Sequence, residues 1–119
     1  MSNNSKYNLK ERILLFVLEV IKLVKDIPDV KINRIFTGQI IRSSSSIGSN
    51  YEEADGTPTK KDFVYKMGLT KKEAKETKYW LILIRSTNDS MYYQHIDILL
   101  QENEELIKIF SSIIIKSTT

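Results

Sequence analysis

The stretch IIRSSSSIGSNYEEADG, residues 40–56, places four consecutive serines and two glycines in the middle of the chain. This composition is typical of a flexible linker between two domains. Apolar and small side chains nevertheless keep a helical spacing of four and three residues through it. They are Ile32, Phe36, Ile40, Ser43, Ile47, Tyr51 and Ala54. A linker would lose this register, so the sequence predicts one continuous helix over residues 31–56.

The serines are predicted to pack inside the fold. Serine costs a helix about 0.5 kcal/mol relative to alanine, a cost that a well-packed neighbour offsets. Small side chains at facing positions also let two helix backbones approach closely. Gly56 stands where a left-handed C-terminal cap would end the helix.

Apolar residues have the same helical spacing elsewhere, and no segment alternates with a period of two, so strands are not expected. Pro28 ends the first stripe, and Thr57 or Thr59 can cap the third helix. The predicted helices cover residues 6–27, 31–56, 60–86 and 93–116. The sequence therefore predicts one all-α domain over residues 1–119, an antiparallel up-down four-helix bundle.

Composition excludes several classes of protein. Hydrophobic residues make up 41% and charged residues 28% of 119 residues, which suits one globular domain. The chain has no cysteine, which excludes disulfides and thiolate zinc sites. Its longest apolar runs, Ile13–Leu18 and Tyr79–Ile84, fall far short of the about 20 residues of a membrane helix. With no signal-peptide pattern at the start, we expect a cytoplasmic protein that does not enter a membrane.

Little in the sequence favours catalysis. His95 is the single histidine, and Glu73 and Glu76 lack the Glu-x-x-His partners of a metal-binding bundle. GSNYEEADG is not followed by the Gly-Lys-Ser/Thr of a phosphate loop. We expect no enzymatic activity, no metal and no cofactor.

Basic residues concentrate in the third predicted helix. Residues 60–85 hold eight Lys or Arg against three Asp or Glu, whereas residues 86–119 hold two against five. The candidate contacts to nucleic acid are Lys61, Lys71, Lys72, Lys75, Lys78 and Arg34. Two interpretations stay open. These cations neutralise phosphates, with Tyr79 nearby for base stacking, or they face the acidic fourth helix or an acidic protein partner.

The other flank of the third helix carries Glu73 and Glu76 among apolar residues. If the second and third helices are antiparallel about a turn near Pro58, Arg42 lies level with both carboxylates. We predict that Arg42 pairs with one of them, because a guanidinium fork fits a carboxylate well. The alternative is that all three groups are solvated.

Further apolar stripes lie beside the main ones on the first and fourth helices. They are Leu14, Val17, Ile21 and Val24, and Leu100, Ile107 and Ile114. Such stripes form either a wide core face or a subunit interface.

Two blocks of sequence, residues 39–56 and 62–84, resemble the small four-helix-bundle proteins encoded within 23S rRNA intervening sequences, also labelled S23 ribosomal proteins. Accessory proteins of diversity-generating retroelements are relatives. The resemblance covers nearly the whole chain. The chain departs from the family pattern at residues 43–45, where it has serine and the family often has alanine, and at Tyr51, which follows the asparagine. The matching residues are Arg42, Ser46, Ile47, Asn50, Glu53 and Gly56, and Phe63, Glu73, Glu76, Trp80 and Leu81.

The resemblance implies a non-enzymatic bundle that assembles into a homopentameric ring. In the retroelement members the ring binds nucleic acid and a reverse transcriptase, so the expected partners are further copies of the chain, RNA or DNA, and a reverse transcriptase. We expect a nucleic-acid-binding or accessory protein. The alternative is a protein-binding scaffold without direct contact to nucleic acid.

Overall fold

The computed structural model describes residues 8–119, which form four α-helices and no strand. In chain order the helices are α1 (Leu9–Asp26), α2 (Lys31–Asp55), α3 (Lys60–Thr87) and α4 (Tyr93–Thr118), with a 3₁₀ turn at Ser90–Tyr92. The predicted all-α class is confirmed, and the predicted helix ends lie within two residues of the observed ones. The predicted start of the first helix, residue 6, lies outside the described residues.

Side-chain caps explain where α1 and α3 begin. The side chain of Asn8 accepts a hydrogen bond from the backbone N–H of Glu11 at 2.8 Å. Thr59 does the same for Asp62 at 3.1 Å, and the Asp62 carboxylate accepts from the Thr59 hydroxyl at 2.8 Å. Each cap satisfies an N–H group that has no partner inside the helix. Of the two predicted caps of α3, Thr59 is the one used.

The end of α2 differs from the prediction. Gly56 is the C-terminal cap, but its φ of −102° and ψ of 8° are not left-handed, and no described residue has a positive φ. The N–H of Gly56 bonds the Glu53 carbonyl at 3.2 Å, and that of Thr57 bonds the Ala54 carbonyl at 3.3 Å. These short-range bonds tighten the last turn and satisfy its carbonyls, so a left-handed cap is not needed.

The core receives side chains from all four helices, and the predicted stripes face it. Its fully buried members include Val20, Ile40, Ile47, Met67, Ala74, Leu81, Ile96, Leu106 and Phe110. One position departs from the stripe: Ile32 is exposed and Asn33 is buried instead. Asn33 donates to the Pro28 carbonyl and exchanges amide hydrogen bonds with Asn88, each at 2.9 Å. These bonds hold the start of α2 against the end of α3 and satisfy the buried amide.

The serine stretch lies inside α2, as predicted, and its two buried serines belong to the core. Ser43 and Ser44 are fully buried, and the Ser43 hydroxyl lies 2.8 Å from that of Thr77 on α3. On the α1 side, a Cβ added to Gly48 would lie 3.6 Å from Ile13. Small side chains therefore set how closely α2 approaches its neighbours.

None of the four helices within residues 8–119 combines the length and apolar character that crossing a membrane requires.

A leucine at position 43 tests the close packing of α2 on α3. We expect Ser43→Leu to lower the free energy of unfolding by about 1–3 kcal/mol, because added methyl groups overpack the contact with Thr77. Ser45→Leu is the matched control two residues away, on an exposed position, and we expect a change within about 0.5 kcal/mol. Urea denaturation measures both. Equal denaturation midpoints for the two variants would contradict the packing.

Candidate nucleic-acid interface

A line of three lysines, two tyrosines and one glycine lies on the solvent side of α3. Its members follow one another at intervals of four and three residues, opposite the buried positions Met67, Ala74 and Leu81. All six are exposed: Lys61, Tyr65, Gly68, Lys72, Lys75 and Tyr79. We call these six residues the α3 outer face. Because the opposite side of α3 is buried in the core, this face is exposed to solvent along most of the helix.

Of the six predicted cations, the structure places three on the α3 outer face, one beside it and two apart from it. Lys61, Lys72 and Lys75 belong to the α3 outer face, and Lys71 lies half-buried beside it. Lys78 instead reaches α4, where its Nζ lies 3.2 Å from a Glu104 oxygen. This ion pair fits the interpretation in which the basic residues of α3 face the fourth helix, but among the candidate lysines it does so only for Lys78.

Arg34 is also apart from the lysines. It lies near the start of α2 and donates to both the carboxylate and the carbonyl of Asp29, at 2.9 and 3.2 Å. The neighbouring Asn33 bonds Asn88 beyond the end of α3, whereas Lys61 lies at its start. A helix of 28 residues is about 40 Å long, so Arg34 and Lys61 lie at opposite ends of the bundle.

The remaining cations are free to meet a ligand. Among residues 8–119, no ion pair involves Lys61, Lys71, Lys72 or Lys75. Exposed lysines that hold no carboxylate keep their charge available for phosphate groups.

Sequence reasoning missed Tyr65. Its side chain is 64% exposed, and that of Tyr79 is 56% exposed. Tyr79 lies edge-on against Trp80 with ring centroids 5.4 Å apart, and Trp80 packs on Phe36 at 6.0 Å. The signal for Tyr65 was its spacing: it lies four residues after Lys61 and seven before Lys72, on the polar side of the helix.

The predicted pairing of Arg42 is confirmed, with both carboxylates at once. Arg42 donates to Glu73 at 3.3 Å and also to Glu76. The Glu76 carboxylate accepts a further hydrogen bond from the Trp80 indole N–H at 3.1 Å. Arg42 is 47% exposed, however, so the large energies of buried ion pairs do not apply.

The other residues of the family pattern on α2 also have structural partners. Asn50 donates to the Ser46 carbonyl at 2.9 Å within α2. Glu53 pairs with Lys66 of α3 at 2.6 Å, and this hydrogen bond raises the pKa of Lys66. The pair of Glu53 and Lys66 therefore joins α2 to α3, whereas Asn50 bonds within α2 and Gly56 ends it.

A second ion pair, between α1 and α4, was not predicted. Arg12 makes a two-pronged contact with Glu102, at 2.7 and 2.9 Å. The two side chains are only 11% and 29% exposed, and the hydrogen bonds from Arg12 to Glu102 raise the pKa of the guanidinium. The partners are 90 residues apart in sequence, so only the packing of α1 on α4 reveals them.

Most members of the two extra apolar stripes widen the core face. Leu100, Ile107 and Ile114 of α4 pack against the core, and so do Val17 and Val24 of α1. On α1, Leu14 is exposed and lines a groove of about 390 Å³ between α1 and α2, over Gly48. Leu15 and Leu18 of α1 are exposed as well.

The described residues contain no group of three or more His, Asp or Glu side chains that could hold a metal ion. His95 lies half-buried against Glu19, with 3.3 Å between its Nε2 and a carboxylate oxygen.

Comparisons with known proteins connect this architecture to a family. The family model described as 23S rRNA-intervening sequence protein matches residues 5–112. A crystal structure of a protein of unknown function from the S23 ribosomal protein family of Bacteroides thetaiotaomicron superposes with a TM-score of 0.81 at 31% identity. The match covers 90% of this chain and 98% of the other. Among curated proteins, none matches the chain.

The two arginine contacts predict a ranking of stabilities. We expect Arg42→Ala to cost about 1 kcal/mol, because the Arg42 side chain is half-exposed and water screens its contacts. Arg12→Ala is expected to cost more, approaching about 3 kcal/mol, because the Arg12 side chain is only 11% exposed and its two hydrogen bonds to Glu102 are shielded from water. Thermal and urea denaturation of both variants measure the difference. Equal losses, or a larger loss for Arg42→Ala, would contradict the ranking.

The pair of Arg85 and Asp97 predicts a dependence of stability on pH. Hydrogen bonds from Arg85 at 2.7 and 3.1 Å lower the pKa of Asp97. The contribution to stability is therefore complete above the ordinary Asp pKa of about 3.9, and is lost as pH falls through the lowered value. We expect Asp97→Asn to be less stable than the unchanged protein at pH 7, by a difference that shrinks below about pH 4. A difference that does not vary with pH would contradict this.

Proposed function

The chain belongs to the 23S rRNA-intervening sequence protein family, and on this premise we propose that it is a non-enzymatic, cytoplasmic nucleic-acid-binding protein that works as an oligomer. The α3 outer face contacts the phosphates. The observation that carries the proposal is the alignment of Lys61, Lys72 and Lys75, exposed and without ion pairs among the described residues, beside two exposed tyrosines.

Electrostatics supports a polyanionic ligand. The chain carries a net charge of +3, and two of the three acidic side chains of α3, Glu73 and Glu76, are turned toward α2, where they pair with Arg42. Each lysine that neutralises a phosphate releases a counterion, so affinity falls as salt rises. Such contacts position a nucleic acid without reading its sequence.

We further propose that the helices form an antiparallel up-down bundle that assembles into a ring, pentameric by analogy with the relatives. Pairing of Arg42 with Glu73 and of Glu53 with Lys66 supports opposite directions for α2 and α3. The exposed Leu14, Leu15 and Leu18 of α1 support a subunit contact, since exposed apolar patches mark interfaces.

A scaffold that binds only protein, such as a reverse transcriptase or an acidic partner, is the second candidate. It is favoured by the pair of Lys78 with Glu104, which shows that a lysine on this flank can meet a carboxylate across a helix contact. In that case Lys61, Lys72 and Lys75 would receive carboxylates of a partner protein.

Charge reversal separates the two functions. We expect the triple substitution of Lys61, Lys72 and Lys75 by glutamate to weaken binding of a structured RNA at least tenfold while the oligomer persists. If three phosphates are contacted, the slope of log affinity against log salt for the unchanged protein should be about −2 to −3. Fluorescence anisotropy at several salt concentrations measures affinity, and sedimentation measures assembly.

The matched control replaces Lys25, Lys108 and Lys116, three exposed lysines of α1 and α4, by glutamate. It makes the same change in net charge away from the outer face, so most of the affinity should remain. Equal losses in both triple variants would show that only net charge matters. Absence of RNA binding by the unchanged protein at low salt would leave the scaffold.

A further inference from the structure

We infer that the α3 outer face binds a single-stranded nucleic acid, whose bases stack on Tyr65 and Tyr79 while its backbone crosses Gly68. The inference rests on the proposed function and specifies the form of the ligand. Three features of the face carry it: the two tyrosines, the glycine between them and the interleaved lysines.

The tyrosines are placed as two stacking platforms on one line. They are 14 residues apart on the same side of α3, which is about 21 Å along the helix axis. Their exposed fractions are 64% and 56%, and neither phenol makes a hydrogen bond to any of residues 8–119. Tyr79 packs edge-on against Trp80 on one side, and more than half of its side chain stays exposed. Exposed aromatic rings in a basic track are what single-strand-binding proteins use.

Gly68 has no evident role within the chain. It lies in the interior of α3 without a positive φ, and a Cβ built on it meets nothing within 4 Å. Glycine weakens a helix interior, so alanine would serve the isolated fold better. Its missing side chain leaves a notch between Tyr65 and Lys72, and glycine is favoured where a ligand approaches the backbone closely.

The lysines complete a track along the helix. Lys72 lies seven residues from each tyrosine, and Lys61 and Lys75 flank the notch on either side. At a stacked rise of about 3.4 Å per nucleotide, the 21 Å between the tyrosines corresponds to roughly six nucleotides. A phosphate backbone that crosses the notch therefore meets a cation between its two stacked bases.

A duplex fits this face less well. Its bases already stack on one another and offer no free face to Tyr65 or Tyr79, and the major groove of an RNA duplex is too deep and narrow for side chains. A single strand can turn individual bases onto the rings. Stacking itself is tolerant of base identity, so RNA and DNA strands are both suitable ligands.

The experiment compares three labelled probes by fluorescence anisotropy: 12-nucleotide oligo(U) RNA, 12-nucleotide oligo(dT) DNA, and the duplex of oligo(U) with oligo(A). We expect either single strand to bind about tenfold tighter than the duplex. Replacing Tyr65 and Tyr79 together by leucine should lower single-strand affinity about tenfold or more without changing the salt slope. The same pair replaced by phenylalanine keeps the rings and should stay within about twofold.

Two glycine variants test the notch. Gly68→Gln should weaken single-strand binding several-fold, whereas Gly38→Gln should leave it unchanged. Gly38 is the matched control, because it is an exposed glycine inside α2 whose built Cβ also meets nothing within 4 Å. Both substitutions should raise the Tm, because both remove a glycine from a helix interior.

Each outcome decides between the claims. Equal affinity for duplex and single strand, or full affinity in the double leucine variant while the lysine variant loses binding, overturns the inference and leaves the proposed function standing. A change in oligomer mass caused by Gly68→Gln would make the face a subunit contact and also overturn it. No binding of any probe by the unchanged protein would instead refute the proposed function.

Discussion

The close approach of α2 to α3 is the constraint on which the rest of the structure depends. Ser43 and Thr77 meet through their hydroxyls at 2.8 Å in a fully buried position, where two larger side chains would hold the helices apart. With the backbones this close, Arg42 reaches both Glu73 and Glu76, and Lys66 reaches Glu53. The serine stretch that resembles a linker is therefore a packing surface.

This packing also decides which side of α3 remains free. α2 packs against the flank of α3 that carries Glu73 and Glu76. α4 packs against the other flank, where Lys78 pairs with Glu104 and Arg85 pairs with Asp97. What remains is the outer face, with lysines that have no carboxylate partner among the described residues. The cations of α3 are thus divided between those that pair with a neighbouring helix, Lys66 with α2 and Lys78 and Arg85 with α4, and those available on the solvent side.

Most of the fold could be predicted from the sequence, because helix periodicity and caps are local signals. The spacing through residues 40–56 was sufficient to place the serines within a helix, and Thr59 was recognisable as a cap. The conformation of Gly56 was not predictable in this way, since it depends on how short the turn to α3 is. Asn33 was missed at the core for a similar reason, because its partner Asn88 is 55 residues away.

The candidate site was predictable only in part. Charge counting found the basic helix, and helical geometry found the pair of Arg42, but neither could separate Lys78, which is bound to α4, from Lys72, which is free. That distinction requires the position of Glu104 on a neighbouring helix. Tyr65 and Gly68 share the helical spacing of Lys61 and Lys72, so the sequence alone could place them on one face of α3; the structure adds that both are exposed.

Ultraviolet crosslinking of the bound oligo(U) strand, followed by mass spectrometry of the peptides, tests most directly that the α3 outer face is where nucleic acid lies. We predict crosslinks within residues 61–79, concentrated at Tyr65 and Tyr79. Crosslinks confined to α1 or α4 would contradict the account.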